Sequence, residues 1–381
     1  MKKNIVIQIL LILFFATLGF FLRYLTLDMG FGDSERYLEM AKVPGKFIGS
    51  PWGYRIALPY LAAGLADILK IPLTTVFLAV QLVMFGTIST LIIKWVSNTL
   101  ERGVLIGILG AIIFVLSYPG VYNLHNFVHV GLGEHLLILL GCIAIYKDKF
   151  IFLSFIIAIS CFVKESVGFL LIPTYFVSSA LLVNWRTASI HTALLLLAFL
   201  VPFFFLRSGA VIFQSDLNLN TYTSFYTLEY VRYCWEYWGG FIGALRSIVF
   251  WFGTIFLLST VGFFIAPVRL KTLAVLPVLA ILQIVLATDI QRMVGVSIPV
   301  LIALSSFTLS KMKNSHAILA SILLGFHFLY LNHRIGGIIS FVVSFCWILV
   351  LLWGNRSSLF IPIIKEGKVT GKFQHNSDQF D

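Results

Sequence analysis

Asp33 and Glu35 lie directly after the first long apolar segment of the chain, and Trp52-Gly53-Tyr54-Arg55 follows about twenty residues later. Charged side chains beside a membrane segment are costly unless they are hydrated or used in function. A carboxylate there can act as a general base on a hydroxyl or hold a divalent cation against a phosphate. A hydrated connection would explain the charges but not the aromatic and cationic block. We therefore predict that residues 32–62 carry function.

Two further groups of ionisable residues lie between apolar segments. Lys164 and Glu165 interrupt the segment CFVKESVGFLLIP. They could pair with each other at a helix end, or the lysine could bind phosphate as a point charge. Asp289 and Arg292 are three residues apart, which places them on one face of a helix. They too could simply pair, although arginine suits bidentate phosphate recognition.

The composition indicates how these residues are positioned. Of the 381 residues, 59% are hydrophobic and only 11% are charged, which excludes a soluble globular domain. Apolar segments long enough to approach the roughly 30 Å of a hydrocarbon core recur along the chain. We predict an all-α polytopic transmembrane bundle of about twelve spans, the first of them uncleaved. The predicted spans are residues 5–27, 73–97, 103–119, 130–146, 150–164, 166–183, 188–206, 247–266, 272–288, 293–310, 315–331 and 336–353.

The distribution of charge predicts the orientation. If residues 55–70 form a helix at the interface, one face carries 15 basic and 5 acidic residues, and the other carries 12 and 11. By the positive-inside rule the first face is cytoplasmic, with both chain termini on that side. Because the net charge of +11 forms no basic stripe, nucleic acid is not a predicted partner. The membrane domain spans residues 1–364, and the polar tail 365–381 is predicted to be disordered.

The opposite, outer face then collects the unusual segments. These include the loops 28–72 and 207–246, the latter rich in tyrosine and tryptophan. Aromatic side chains with polar tips suit a membrane interface, and they also suit a sugar ring or a lipid headgroup. His125 and His129 are four residues apart, so one helix would present both as a metal pair requires, although polar interface residues explain them equally well.

The order of these features resembles the GT-C superfamily of glycosyltransferases, which includes protein O-mannosyltransferases and the aminoarabinose transferase of lipid A. The shared layout is Asp33 in the first outer loop, Tyr54-Arg55 and Pro59 at the start of the next helix, and a proline-containing outer segment leading to Glu134. It covers residues 1–165 and, more loosely, 289–310. The resemblance implies a donor sugar on a polyprenyl phosphate and a glycan, lipid or protein acceptor. We predict that the protein lies in a bacterial plasma membrane.

Under this resemblance Asp33 matches the catalytic acid, Arg55 matches the basic residue that faces donor phosphate, and Glu134 matches a second outer acid. Glu134 departs from the aspartate that is usual there. A divalent metal ion is the only cofactor considered, with Asp33, His129 and Glu134 as candidate ligands. The complete predicted site has catalytic Asp33, Glu35, Arg55 and Glu134; phosphate-binding Arg55, Tyr54, Lys164 and Arg292; and supporting Glu165, Asp289 and Tyr37.

Two alternatives stay open. A polysaccharide polymerase or ligase of the O-antigen type has a similar number of spans and places working arginines in a late loop, where Arg207 and Arg232 lie. A non-enzymatic transporter or flippase predicts ionisable groups at mid-bilayer, broken helices and internal repeats. In this sequence most charges fall at span ends and no strong repeat is found.

Overall fold

The computed structural model describes residues 2–25, 34–45, 52–208, 228–283, 290–330 and 334–359, and within these ranges the chain is helical with no strand. The helices in chain order are α1 (Lys2–Leu25), α2 (Ser34–Lys42), α3 (Ala57–Leu69), α4 (Leu73–Lys94), α5 (Val104–Leu116), α6 (Tyr118–His125), α7 (Gly131–Tyr146), α8 (Phe150–Val163), α9 (Ser166–Leu182), α10 (Trp185–Arg207), α11 (Leu228–Tyr237), α12 (Gly240–Ile265), α13 (Val268–Lys271), α14 (Val275–Leu282), α15 (Ile290–Gly295), α16 (Ile298–Lys311), α17 (Asn314–Tyr330) and α18 (Arg334–Gly354).

The long apolar helices make this a multi-pass membrane protein. In the described ranges five helices, α1, α4, α10, α12 and α18, are long and apolar enough to cross a bilayer, and the bent pair α5–α6 would make a sixth. Each of the twelve predicted segments contains a helix, but several of these helices are short. Helix α3 has 13 residues, so it is about 20 Å long and does not cross an untilted bilayer.

The span predicted at residues 103–119 is not one straight helix. Helix α5 ends at Leu116, Ser117 is extended, and α6 leaves at an angle of 49°. The Ser117 hydroxyl accepts a hydrogen bond from the Gly120 amide, and Pro119 follows in the first turn, so the local sequence starts a new helix. All residues of α6 are buried. Because protein surrounds this break, its backbone polar groups do not face lipid.

Glycines allow close helix contacts in the bundle. Helices α12 and α16 make the most extensive contact, and α1 and α4 the next. A β-carbon on Gly262 of α12 would collide with the carbonyl oxygen of Leu304 on α16, and one on Gly86 of α4 would collide with that of Ile12 on α1. Small residues at such crossings let membrane helices approach closely where the hydrophobic effect gives little help.

Replacement of Gly262 by valine is expected to separate α12 from α16 and to lower the free energy of unfolding by about 1–3 kcal/mol, the usual cost of overpacking. Gly64 of α3 is the matched control, because a β-carbon there meets no atom within 4 Å. The measurement is thermal unfolding of both purified variants in detergent. Equal stability of the Gly262→Val and Gly64→Val proteins would contradict the helix contact.

Candidate functional site

The short connection between α8 and α9 brings several buried charges together. It consists of Lys164 and Glu165, and Lys164 is extended with φ −167° and ψ 120°. The two side chains therefore do not pair with each other, and this sequence-based alternative is wrong. Lys164 contacts Glu134 and Glu165 contacts Arg55. We call the set Arg55, Glu134, Lys164, Glu165 and Ser166 the junction cluster.

Arg55 forms a two-bond ion pair with Glu165. Its Nη2 donates to Oε1 at 2.9 Å and its Nε donates to Oε2 at 3.2 Å, while Nη1 donates to the Tyr37 hydroxyl at 3.2 Å. The two charged side chains are only 11% and 10% exposed. This fork-to-fork geometry is the one in which arginine binds carboxylate or phosphate most strongly.

The surroundings of Glu165 keep its carboxylate charged. Burial opposes ionisation, but the charge of Arg55 and its hydrogen bonds outweigh that effect and lower the pKa of Glu165 to about 2. The Arg207 guanidinium adds a smaller effect in the same direction. At any physiological pH the pair therefore consists of a carboxylate and a guanidinium.

Glu134 holds the second cation of the junction cluster. It lies in the first turn of α7, where the helix dipole favours a negative charge. Lys164 Nζ donates to one of its carboxylate oxygens, and the Ser166 hydroxyl donates to the other. Both carboxylates of the cluster are thus engaged with donors, so their burial is compensated. Removing one partner of such a buried pair costs far more than the intact pair contributes.

Arg292 approaches the cluster from α15. Its Nη1 lies 3.1 Å from His129 Nε2, and His129 Nδ1 accepts the amide hydrogen of Gly131 at 3.0 Å. Gln81 donates to the carbonyl oxygen of His129, and the Tyr37 ring packs edge-on against the imidazole, with centroids 5.4 Å apart. The Tyr37 hydroxyl in turn accepts a hydrogen bond from Arg55. A polar layer thus connects α15 with the junction cluster.

Of the predicted metal ligands, His129 and Glu134 are described, and Asp33 lies outside the described residues. His125 ends α6 while His129 lies beyond it, so the two are not on one helix and the predicted pair is wrong. Both nitrogens of His129 and both oxygens of Glu134 have neighbours within hydrogen-bonding distance. No three metal-binding side chains converge in the described ranges. We assign no step to a metal ion.

Arg207 is a site residue that sequence reasoning connected only with a polymerase loop. Its guanidinium lies 4.4 Å from the centre of the Tyr54 ring and 3.5 Å from that of Phe203. Tyr54 directly precedes Arg55, so Arg207 packs behind the turn that presents Arg55. The sequence feature that could have identified Arg207 is its position as an arginine at the end of a long apolar helix. Arg232, its companion in that loop, instead forms an exposed pair with Glu236.

A cavity of about 470 Å³ opens beside the junction cluster. Its polar lining consists of Arg55, Lys164, Glu165, Ser166 and Gln283, and its apolar lining consists of Phe169, Leu279, Leu282 and Met293. The apolar residues come mainly from α9 and α14. The cavity therefore has both charged and apolar lining residues, a combination that suits an amphiphilic ligand.

The structure brings together most of the predicted residues that it describes. Hydrogen bonds join Arg55 to Tyr37 and Glu165, and Lys164 to Glu134. Tyr54 and Arg292 lie at the edges of this group. Glu35 is exposed on α2. Asp33 and Asp289 lie outside the described residues, so their roles stay predictions.

No protein-family model matches the chain, and no curated protein is similar to it in sequence.

Proposed function

We propose that the protein is a membrane glycosyltransferase of the GT-C type that moves a sugar from a polyprenyl phosphate to a glycan, lipid or protein acceptor. One observation carries the proposal: Arg55 and Lys164 line a cavity that is also lined by the apolar residues Phe169, Leu279, Leu282 and Met293. A phosphate on a lipid chain presents the complementary combination of charge and hydrocarbon. The cavity is also large enough for part of such a molecule, within the range of small-ligand sites.

The chemistry of the transfer agrees with these residues. When a glycosyl phosphate reacts, the phosphate leaves as an anion, and preorganised cations stabilise the charge that develops. Arg55 can offer a planar fork to two phosphate oxygens, while Lys164 offers a compact point charge. Each cation is paired with a carboxylate in the structure, Arg55 with Glu165 and Lys164 with Glu134.

The proton acceptor in this proposal is Asp33. Glu134 and Glu165 are each bound to a cation, so we do not assign proton transfer to them. Tyr37, four residues after Asp33, contacts both Arg55 and His129, which supports a role for this part of the chain at the same site. A carboxylate beside the donor could take the proton from an acceptor hydroxyl as it attacks the sugar.

The twelve-span topology is part of the proposal, with both termini in the cytoplasm and the site on the outer face of a bacterial plasma membrane. Its support comes from the two ends of α7. Glu134, predicted to be outer, lies in the first turn. At the other end, the carbonyl of Tyr146 accepts a hydrogen bond from Arg269, a residue predicted to be cytoplasmic.

A transporter or flippase for the same lipid is the second candidate, because one expected feature of that class is present. The bent pair α5–α6 is a broken helix, with α6 buried inside the bundle. Broken helices of this kind line substrate paths in many transporters. Both candidates use a lipid-linked phosphate, so the fate of the sugar distinguishes them.

The test uses membrane vesicles that contain the full chain and a panel of polyprenyl phosphates that carry radiolabelled sugars. We expect label to leave one of these lipids and appear on an acceptor in wild-type and Arg232→Ala vesicles but not in Arg55→Ala vesicles. Arg232 is a suitable control because its pair with Glu236 is exposed. Label that crosses the bilayer on its original lipid would favour the transporter. Label that stays in place with every donor would contradict both.

A further inference from the structure

The Arg55–Glu165 pair has a geometry that bears directly on how a ligand enters the cavity. The Glu165 carboxylate occupies the Nε and Nη2 positions of Arg55, which are the fork that arginine uses to bind two phosphate oxygens. Both residues line the cavity, so the pair lies where a ligand phosphate would bind. Arg55 also donates a third hydrogen bond, from Nη1 to the Tyr37 hydroxyl. This bond can hold the guanidinium in place when Glu165 is displaced.

We propose that Glu165 is an internal substitute for the ligand phosphate and that binding proceeds by anion exchange on Arg55. A lipid phosphate takes the two hydrogen bonds that Glu165 gives up, and the Glu165 side chain turns towards the cavity. The inference rests on the proposed function, since it assumes a phosphate ligand in this cavity.

Three observations distinguish exchange from a purely structural ion pair. The pair borders a cavity instead of filling a closed core, so a released carboxylate can turn towards the open space. The guanidinium has a separate anchor in Tyr37, so it need not move when its partner changes. Glu134 by contrast binds both Lys164 and Ser166 and does not itself line the cavity. Glu165 is therefore the carboxylate placed to be displaced.

Exchange has a measurable consequence. A ligand that must displace Glu165 binds more weakly than it would bind to an Arg55 guanidinium without a paired carboxylate. Removing the charge of Glu165 should therefore strengthen ligand binding. The probe is farnesyl phosphate, and its affinity for the purified full chain in detergent is measured by titration calorimetry. We expect Glu165→Gln to lower the dissociation constant roughly tenfold, the range of one charge-assisted hydrogen bond. Glu236→Gln is the matched control, because its arginine partner is exposed, and we expect no change.

Additional probes identify the source of the phosphate and separate this inference from the proposed function. Farnesol tests the lipid chain alone, and inorganic phosphate tests the headgroup alone; we expect Glu165→Gln to strengthen only binding that involves phosphate. If wild type binds farnesyl phosphate and folded Glu165→Gln binds it equally or more weakly, exchange is wrong and the proposed phosphate site stands. If neither protein binds it, the phosphate site is wrong, and exchange is wrong with it.

A second measurement uses the wild-type protein and does not depend on the folding of a variant. A water-soluble carbodiimide with glycine ethyl ester modifies accessible carboxylates, and mass spectrometry locates the modified residue. Exchange predicts that saturating farnesyl phosphate increases the modification of Glu165, whereas farnesol does not. Unchanged or decreased modification of Glu165 in the presence of bound farnesyl phosphate would overturn the proposal.

Discussion

Replacement of Arg55 by methionine is expected to abolish sugar transfer and to lower the free energy of unfolding by about 3–5 kcal/mol, the range for breaking a buried ion pair. The loss of stability follows because Glu165 would remain buried without its cation. Its side chain is only 10% exposed in the pair. The loss of transfer follows because the guanidinium is the proposed phosphate ligand.

A double variant separates these two effects. Arg55→Met with Glu165→Gln removes both charges, so most of the stability should return while transfer stays absent. Thermal unfolding in detergent and the radiolabel assay measure the two properties on the same preparations. Arg232→Met with Glu236→Gln removes an exposed pair and should change neither. Transfer that recovers together with stability in the Arg55–Glu165 double variant would show that Arg55 has only a structural role.

Replacement of Asp33 by asparagine is expected to reduce transfer by about 10²–10⁴-fold, the usual contribution of a general base. Asparagine keeps the size of the side chain but cannot accept the proton of an attacking hydroxyl. Binding of farnesyl phosphate should change little, because Arg55 and Lys164 supply the proposed phosphate contacts. The expected signature is therefore a large loss of kcat with membrane insertion and lipid binding retained.

Asp67→Asn is the matched control for this substitution. Asp67 is exposed on α3, and no role at the site is proposed for it. Both variants should be inserted in equal amounts, as judged by extraction and size-exclusion chromatography. Full transfer by Asp33→Asn would remove Asp33 from the mechanism, and equal loss in both variants would point to a general effect of charge in this part of the chain.

The sequence predicted the helical membrane class and singled out several charged residues of the junction cluster, because both depend on residue type. Long apolar segments specify helices in a bilayer, since their backbone polar groups must be satisfied internally. Charges next to such segments are rare enough to be noticed individually. Lys164 and Glu165 were found in this way, and so were Arg55 and Arg292.

The partners of these charges could not be predicted, because they depend on contacts between distant parts of the chain. Lys164 and Glu165 are adjacent in sequence, yet they bind Glu134 and Arg55, which lie 30 and 110 residues away from them respectively. The same limit applied to Arg207, whose contact with Tyr54 links the end of α10 to the turn before Arg55.

Local breaks in helices were the other source of error. The spacing of His125 and His129 predicted one helical face, but the chain leaves α6 at His125. The span at residues 103–119 also read as continuous, although Ser117 and Pro119 carried the signal for a new helix start. Apolar composition obscured that signal, because hydropathy does not distinguish one long helix from two short ones.

Photocrosslinking tests most directly whether the cavity beside the junction cluster holds a lipid-linked phosphate. The probe is a polyprenyl phosphate with a photoreactive group on its first isoprene unit, applied to the full chain in membranes and followed by mass spectrometry. We predict crosslinks to Phe169 of α9 and to Leu279 or Leu282 of α14, lost in Arg55→Met and retained in Arg232→Met. Crosslinks confined to other helices, or crosslinks to α9 and α14 that form equally with the corresponding polyprenol, would contradict the site.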